Sequence, residues 1–237
     1  HHCDDRREER VDPLHSFRDP REIGECDWVI VAIKSTANDQ LKELLKPLVG
    51  PGTNLLTLQN GMGNVENLAD AFGSKRTIIA GLCFTCINRT KPNRIESLLP
   101  GYVQFGQYGS GLSEPAEEMV SAFEDAGIQV KRAESLDEVL WRKLCWNVPF
   151  NGLAIACGGI TTDRILEDAG HRSRARRLME EIQATALAHE VSIEDSFLAR
   201  QFDLTEPMGP YKPSSLIDYL DGKSVEVETI WGEPLRR

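Results

Sequence analysis

The chain has 237 residues, of which 41% are hydrophobic and 27% charged, an ordinary composition for a soluble globular protein. Its formal net charge is −10, whereas a nucleic-acid-binding surface needs clustered lysine and arginine to displace counterions. No apolar run approaches the roughly 20 residues of a membrane span, and the charged N-terminus lacks a signal-peptide core. These features favour a cytoplasmic protein that acts on a small molecule. We expect it to bind neither nucleic acid nor membrane.

Six cysteines in a chain without a secretory signal predict reduced thiols, most of them buried. Cys83 and Cys86 form a CxxC pair within a strand-like run. Residues three apart on a strand point to opposite faces, which does not suit a shared metal or a redox pair. We therefore expect no metal site in this protein.

Short apolar strands alternate with helices along the first half of the chain. The strands are expected at Asp27–Lys34, Thr53–Gln59, Thr77–Cys86, Tyr102–Phe105 and Ile128–Arg132, and the helices at Asn38–Leu48, Val65–Phe72 and Pro115–Ala126. Such alternation with short loops is typical of an α/β sheet with mostly parallel pairings.

The pattern changes to long helical stretches near residue 134. Leu136–Ala156 and Ile165–Glu190 are periodic, and the capping residues Thr161, Thr162 and Asp163 precede the second stretch. No strong strand pattern follows. The chain is therefore predicted to have an α/β, doubly wound Rossmann-type domain at 1–133 and an all-α domain at 134–237.

A doubly wound sheet that binds a dinucleotide normally opens with a strand, a glycine-rich turn and a helix whose N-terminus holds the pyrophosphate. The chain contains no GxGxxG motif, and the turn at Gly61-Met62-Gly63 lacks the third glycine. We therefore expect the first βαβ unit to be missing, so that the first domain is truncated at its start.

A stripe of polar residues crosses the apolar helix Leu136–Ala156. Lys143, Asn147 and Asn151 are spaced by four and share one helical face. Unpaired polar groups among apolar side chains cost a few kcal/mol each, so these residues need partners. Spacing alone leaves two interpretations open: an interhelical hydrogen-bond network or a functional site at a domain interface.

A second group of polar residues lies near the C-terminus. Pro213-Ser214 predicts a helix start, whose free backbone N–H groups can hold a carboxylate. A simple capped surface helix is the alternative. Glu226 lies in the run VEVET and would by default be solvated.

Together these residues resemble the ketopantoate reductase family over nearly the whole chain, from about Asp27 onward. The resemblance is carried by Lys34 at the end of VIVAIK, by Asn60 in QNGMG, by WRKLCWNVPFN and by the spaced residues Ser214, Asp218, Gly222 and Glu226. It implies a Rossmann domain followed by a helical domain that ends beyond Arg237. It also implies an NADPH-dependent enzyme with a small 2-oxo acid as substrate, and a homodimer is a further expectation.

The resemblance also implies residue roles. Lys143 would be the proton donor. Asn60, Asn147, Asn151 and Ser214 would bind the substrate, and Lys34, Asn60, Ile87 and Glu226 would contact NADPH.

Elementary chemistry agrees with these roles. Hydride addition to a ketone leaves negative charge on oxygen, which a lysine can stabilise and protonate. Glu226 could balance and orient the lysine ammonium, and a helix start at Ser214 suits a carboxylate.

Two departures from the family pattern leave alternatives open. Pro149 falls between the two asparagines, where it would bend the helix axis, and Thr161 stands where another substrate-contacting asparagine is expected. The first hypothesis is reduction of ketopantoate to pantoate for pantothenate and coenzyme A synthesis. Pro149 and Thr161 favour one alternative, a paralogous reductase of another small 2-oxo acid. The missing glycine-rich unit motivates the other, a non-catalytic fragment unable to bind a dinucleotide.

Overall fold

The computed structural model describes residues 10 and 12–237, and the side chains of residues 98–100 are not described. The predicted thiol of Cys3 lies outside the described residues. The chain divides into two compact units. A sheet unit contains the chain up to Ala32 together with Gln40–Leu58 and Val65–Glu134, and a helical unit contains Ile33–Asp39, Gln59–Asn64 and Ser135–Arg237. The two segments that follow the first two strands therefore belong to the helical unit.

Within the described residues, the sheet unit contains five strands in chain order. They are β1 Trp28–Val31, β2 Asn54–Thr57, β3 Ile78–Lys91, β4 Arg94–Gln107 and β5 Val130–Arg132. The β1–β2, β2–β3 and β4–β5 pairings are parallel, and the β3–β4 pairing is antiparallel. The predicted mostly parallel sheet is confirmed.

Strands β3 and β4 form a much longer hairpin than the sequence predicted. The polar stretch 88–97 pairs as strand on both sides of the turn at Pro92-Asn93, with Lys91 opposite Arg94. The expectation of strands limited to Thr77–Cys86 and Tyr102–Phe105 is therefore wrong. The added arms have no alternating apolar pattern because few of their side chains are buried.

Three helices complete the sheet unit: α1 Leu41–Leu45, α2 Asn64–Phe72 and α3 Glu114–Asp125. Its core packs Leu56, Ile79 and Phe105 against Ala116 and Val120 of α3. The helix expected at Asn38–Leu48 is shorter than predicted, because a 3₁₀ segment at 35–40 precedes α1 and has a non-helical residue at 37.

Among the described residues, the chain beyond Ser135 is helical. It contains α4 Leu136–Ala156, α5 Thr162–Glu167, α6 Ala169–Ala188, α7 Asp195–Thr205, α8 Ser214–Leu220, a π-helix at Glu228–Gly232 and α9 Glu233–Arg236. None of the helices in the described part of the chain combines the length and apolar character needed to cross a bilayer.

Helix α4 has the predicted bounds, and the stretch that follows it does not. Ser135 caps α4 by accepting a hydrogen bond from the Glu138 N–H, and Pro149 lies within the helix without ending it. The single helix expected at Ile165–Glu190 is two helices, because Asp168 adopts an extended conformation. There it caps α6 by accepting from the His171 N–H at 2.8 Å.

Candidate functional site

The turn after β2 is fixed against the C-terminal part of the helical unit. Gly61 has φ +85°, and a Cβ there would lie 2.3 Å from the Thr229 carbonyl oxygen. The Met62 N–H donates to the same oxygen at 2.8 Å. A glycine is therefore required at position 61 both for the backbone conformation and for the close approach.

This turn presents Asn60 to the central lysine of α4. The Nζ of Lys143 donates to the Asn60 Oδ1 at 3.1 Å, and the Lys143 side chain is half-buried. The structure thus brings together the proton donor that the family resemblance implies and a residue that it implies contacts both substrate and cofactor. Within the described residues, the Asn60 Nδ2 has no hydrogen-bond partner and remains available as a donor.

Lys34 lies between two buried carboxylates. Its Nζ is 2.7 Å from the Asp218 Oδ2 and 3.6 Å from the Glu226 Oε2, and these acidic residues are only 7% and 3% exposed. Partial burial opposes the charge on the lysine, but its hydrogen bond to Asp218 and the charge of Glu226 outweigh this effect and raise the pKa of Lys34. The three groups together carry a net charge of about −1 when ionised.

Glu226 is held by a second set of contacts. Its Oε1 accepts hydrogen bonds from the Ser35 N–H and Oγ, both at 3.0 Å. Because the Ser35 hydroxyl proton points to Glu226, the Thr229 hydroxyl, 2.8 Å away, must be the donor to Ser35. The expectation that Glu226 would by default be solvated is wrong, because these partners stabilise its buried carboxylate. These contacts join it to Ser35 and Lys34, whereas the sequence suggested that it orients Lys143.

Asn147 and Asn151 lie on the buried part of α4 and differ in their bonding. Asn151 is 2% exposed, donates to the Asn147 carbonyl at 3.0 Å and accepts from the Ser215 N–H at 3.0 Å. It therefore ties α4 to the start of α8. The Asn147 side-chain amide is nearly buried and makes no hydrogen bond within the described residues, so it is open to a ligand.

The predicted helix start at Pro213-Ser214 is confirmed, with Ser214 half-buried as the first residue of α8. Its neighbour Ser215 was not expected to matter. The Ser215 Oγ is fully buried and has no hydrogen-bond partner among the described residues. A buried hydroxyl without a partner costs free energy unless a ligand or a water molecule forms the missing hydrogen bond.

Two other residues of the family pattern are Ile87 and Thr161. Ile87 belongs to the sheet unit, and Thr161 is hydrogen-bonded within the helical unit. Ile87 is on the hairpin arm of β3 in the sheet unit, opposite Ser97, with 52% of its surface exposed. The Thr161 hydroxyl donates to the Asp163 carboxylate at the start of α5. Its hydroxyl proton is therefore committed to the protein.

The five described cysteines are free thiols, as predicted, but only Cys145 is buried and the prediction that most are buried is wrong. Burial raises the pKa of Cys145 to about 12. Cys83 and Cys86 are half-buried on β3, where register shifts flank Cys86. Within the described part of the chain, no group of His, Cys, Asp or Glu residues is arranged to hold a metal ion.

Sequence reasoning missed the partners that hold the site residues. Asp218 was part of the recognised spacing without a role, and Ser35 and Thr229 were not singled out. Their contacts join residues 184 to 194 positions apart, which local periodicity does not report. The signal that could have found Ser35 is its place directly after Lys34, in the segment that follows the carboxyl end of β1, because polar groups at carboxyl ends of parallel strands commonly form sites.

Known proteins share the sequence pattern and the fold of this chain. A family model described as Ketopantoate reductase PanE/ApbA matches residues 2–110, and one described as Ketopantoate reductase PanE/ApbA C terminal matches residues 135–237. A 2-dehydropantoate 2-reductase of Nostoc sp. is 35% identical over 229 residues, covering 94% of this chain and 71% of that protein.

Solved structures agree. The crystal structure of 2-dehydropantoate 2-reductase from Geobacter metallireducens is similar with 38% identity and a TM-score of 0.88, covering 93% of this chain and 73% of that one. A ternary structure of D-mandelate dehydrogenase with NADH and anilino(oxo)acetate shares the fold, with 18% identity, a TM-score of 0.81 and coverage of 90% and 69%. The chain therefore belongs to the ketopantoate reductase family.

Proposed function

We propose that this protein reduces 2-dehydropantoate (ketopantoate) to pantoate with NADPH, as a step of pantothenate and coenzyme A synthesis, and that Lys143 is the proton donor. The hydrogen bond between the Lys143 Nζ and the Asn60 Oδ1 at 3.1 Å is the observation that carries the proposal. The names of the Nostoc and Geobacter relatives support the choice of substrate.

The chemistry requires a group that accepts developing negative charge and then supplies a proton. A bound reduced nicotinamide supplies the hydride to the ketone carbon. The Lys143 ammonium stabilises the resulting negative oxygen and donates one proton to it, which leaves a neutral amine and a 2-hydroxy acid. Solvent then returns a proton to the amine. Asn60 fixes the direction of the ammonium through its Oδ1.

The substrate's remaining polar groups have partners in the helical unit. The unpaired amide of Asn147 and the hydroxyl of Ser214 are proposed to bind the substrate directly. Asn151 uses its oxygen on the Ser215 N–H and one amide proton on Asn147, so only its second amide proton is left for the substrate. Its contribution is proposed to be mainly the placement of α8.

The described residues of the helical unit offer polar partners for the nicotinamide and ribose of a dinucleotide. The Asn60 Nδ2 is a free donor for a ribose hydroxyl or a carboxamide oxygen, and Glu226 and Lys34 provide a fixed acceptor and donor in the same unit. Lys34 is already balanced by two carboxylates, so its proposed contact suits a neutral hydroxyl better than a phosphate. Contact of the cofactor with the Ile87 backbone, and the choice of NADPH over NADH, stay predictions.

A paralogous reductase of another small 2-oxo acid is the second candidate. The observation that favours it is the Thr161 hydroxyl, which is bonded to Asp163 at a position where the family pattern provides a substrate-contacting asparagine.

A substrate and cofactor panel separates these candidates. The purified protein is assayed with 2-dehydropantoate, with 2-oxoisovalerate, which lacks the substrate's hydroxymethyl group, and with phenylglyoxylate, each with NADPH and with NADH. We expect the highest kcat/KM for 2-dehydropantoate with NADPH. Comparable values on several unrelated acids would favour the paralogue, and no dinucleotide binding by calorimetry would contradict a reductase altogether.

A further inference from the structure

Asn64 makes an unusual contact for the first residue of a helix. Side chains at helix starts commonly accept hydrogen bonds from backbone N–H groups. The Asn64 side chain instead donates its Nδ2 to the Asn60 carbonyl at 3.0 Å, with the Gly61 carbonyl 3.5 Å away, and the residue is 4% exposed. Asn64 therefore closes the turn that carries Asn60.

Asn64 is held in turn by two further carboxamides. The Asn38 Nδ2 donates to the Asn64 Oδ1 at 2.9 Å, and the Gln59 Nε2 donates to the Asn38 Oδ1 at 2.8 Å. A backbone carbonyl only accepts, so the Asn64 amide must point its nitrogen to Asn60. The Asn64 Oδ1 then faces Asn38, which must present its Nδ2 to this oxygen and its Oδ1 to the Gln59 Nε2.

The turn is thus fixed from two sides. On one side the Thr229 carbonyl accepts the Met62 N–H at 2.8 Å, and on the other the Asn64 amide holds the Asn60 carbonyl. The Asn60 side chain extends from between these two anchors to Lys143. A change at either anchor changes where the Asn60 Oδ1 meets the ammonium.

We propose that Asn64, oriented by Asn38, is a positioning residue for the Lys143–Asn60 pair. The inference rests on the proposed reductase function and adds a residue that touches neither reacting atom. Proton transfer depends steeply on geometry, and a misplacement of about 1 Å costs on the order of 100-fold in rate. Loss of the Asn64 donor should therefore have a larger effect on kcat than on the free energy of unfolding.

The substitution Asn64→Asp tests this inference because it keeps the shape of the side chain. The carboxylate can still accept from Asn38 but cannot donate to the Asn60 carbonyl. Asn67→Asp is the matched control, since Asn67 lies on the same helix with an exposed side chain and receives the same change of charge. We expect N64D to lower kcat about 10- to 100-fold, and N67D to stay within about twofold of the wild type.

A double-mutant cycle separates positioning from a general structural effect. If Asn64 acts through Asn60, the N64D effect on kcat should largely disappear in an Asn60→Ala background. An equal fold-loss in both backgrounds, or N64D activity matching N67D, would overturn the inference.

If no 2-oxo acid is reduced, the proposed function alone is contradicted. Hydrogen exchange of backbone amides then still tests the positioning role of Asn64. N64D should speed exchange of the Met62 amide, which donates to Thr229, at least about tenfold relative to N67D. Unchanged exchange would overturn the positioning role by itself.

Discussion

Removing the Lys34 ammonium should destabilise the helical unit by leaving two buried carboxylates without a cation. Asp218 and Glu226 are 7% and 3% exposed, and Lys34 lies 2.7 Å and 3.6 Å from them. Breaking a fully buried ion pair costs roughly 3–5 kcal/mol. Because the Lys34 side chain is 47% exposed and Ser35 still donates to Glu226, we expect a loss of about 2 kcal/mol for Lys34→Met.

The control for this prediction is another lysine with the same contact distance. Lys223 pairs with Asp221 at 2.7 Å, but the two side chains are 63% and 50% exposed. Lys223→Met should therefore cost less than about 1 kcal/mol. In the double variant Lys34→Met/Asp218→Asn, part of the lost stability should return, because one uncompensated carboxylate is removed.

The pH dependence has a defined sign. The pKa of Lys34 is raised in the folded protein, so its contribution is complete below the ordinary lysine value of 10.5 and is lost as pH rises through the folded pKa. The Lys34→Met deficit should therefore be complete below about pH 10.5 and should shrink as pH rises through the folded pKa of Lys34.

The assay is urea denaturation followed by tryptophan fluorescence, because Trp141, Trp146 and Trp231 all lie in the helical unit. Free energies of unfolding are compared for the wild type and the variants at several pH values. A Lys34→Met deficit equal to that of Lys223→Met, or one that does not shrink as pH rises above about 10.5, would refute the view that Lys34 neutralises a buried acidic pair.

Two further predictions concern backbone and thiol. Gly61→Ala and Gly63→Ala both force a non-glycine residue to a positive φ of about +85°. The new Cβ at position 61 would lie 2.3 Å from a backbone oxygen, whereas the nearest atom to a Cβ at position 63 is 3.4 Å away. We expect costs of roughly 3 kcal/mol or more and 1–2 kcal/mol respectively, measured by thermal unfolding, and equal costs would contradict the close approach. Because burial raises the pKa of Cys145 to about 12, little thiolate forms there near pH 8, so iodoacetamide should label it more slowly than half-buried Cys26 in the native protein. Equal labelling rates, read by peptide mass spectrometry, would contradict that environment.

Periodicity predicted the elements whose packing is local. The bounds of α4 followed from its apolar spacing, and the change from strands to helices was visible near its first residue. The hairpin arms of β3 and β4 were not predictable, because their strand conformation comes from backbone pairing rather than burial. The break at Asp168 also escaped notice, since the apolar positions of α5 and α6 continue one helical pattern.

The family pattern named residues that the structure brings together, but not the tertiary contacts that hold them. Lys143 approaches Asn60, and the roles that the resemblance implies for both residues stay predictions. The burial of Glu226 was not predictable, because it depends on Ser35, 191 positions away. The Asn38–Asn64 pair carried no signal, since polar residues at or next to a helix start ordinarily face solvent.

The rate of hydride transfer in Lys143→Ala tests the central claim most directly. Single-turnover oxidation of bound reduced nicotinamide by 2-dehydropantoate is compared in the wild type, in this variant and in the exposed-lysine control Lys223→Ala. Loss of a general acid predicts a fall of roughly 10²–10⁴-fold for Lys143→Ala, with the fold intact and the control unchanged. A Lys143→Ala rate equal to that of the wild type would remove this ammonium from the reaction.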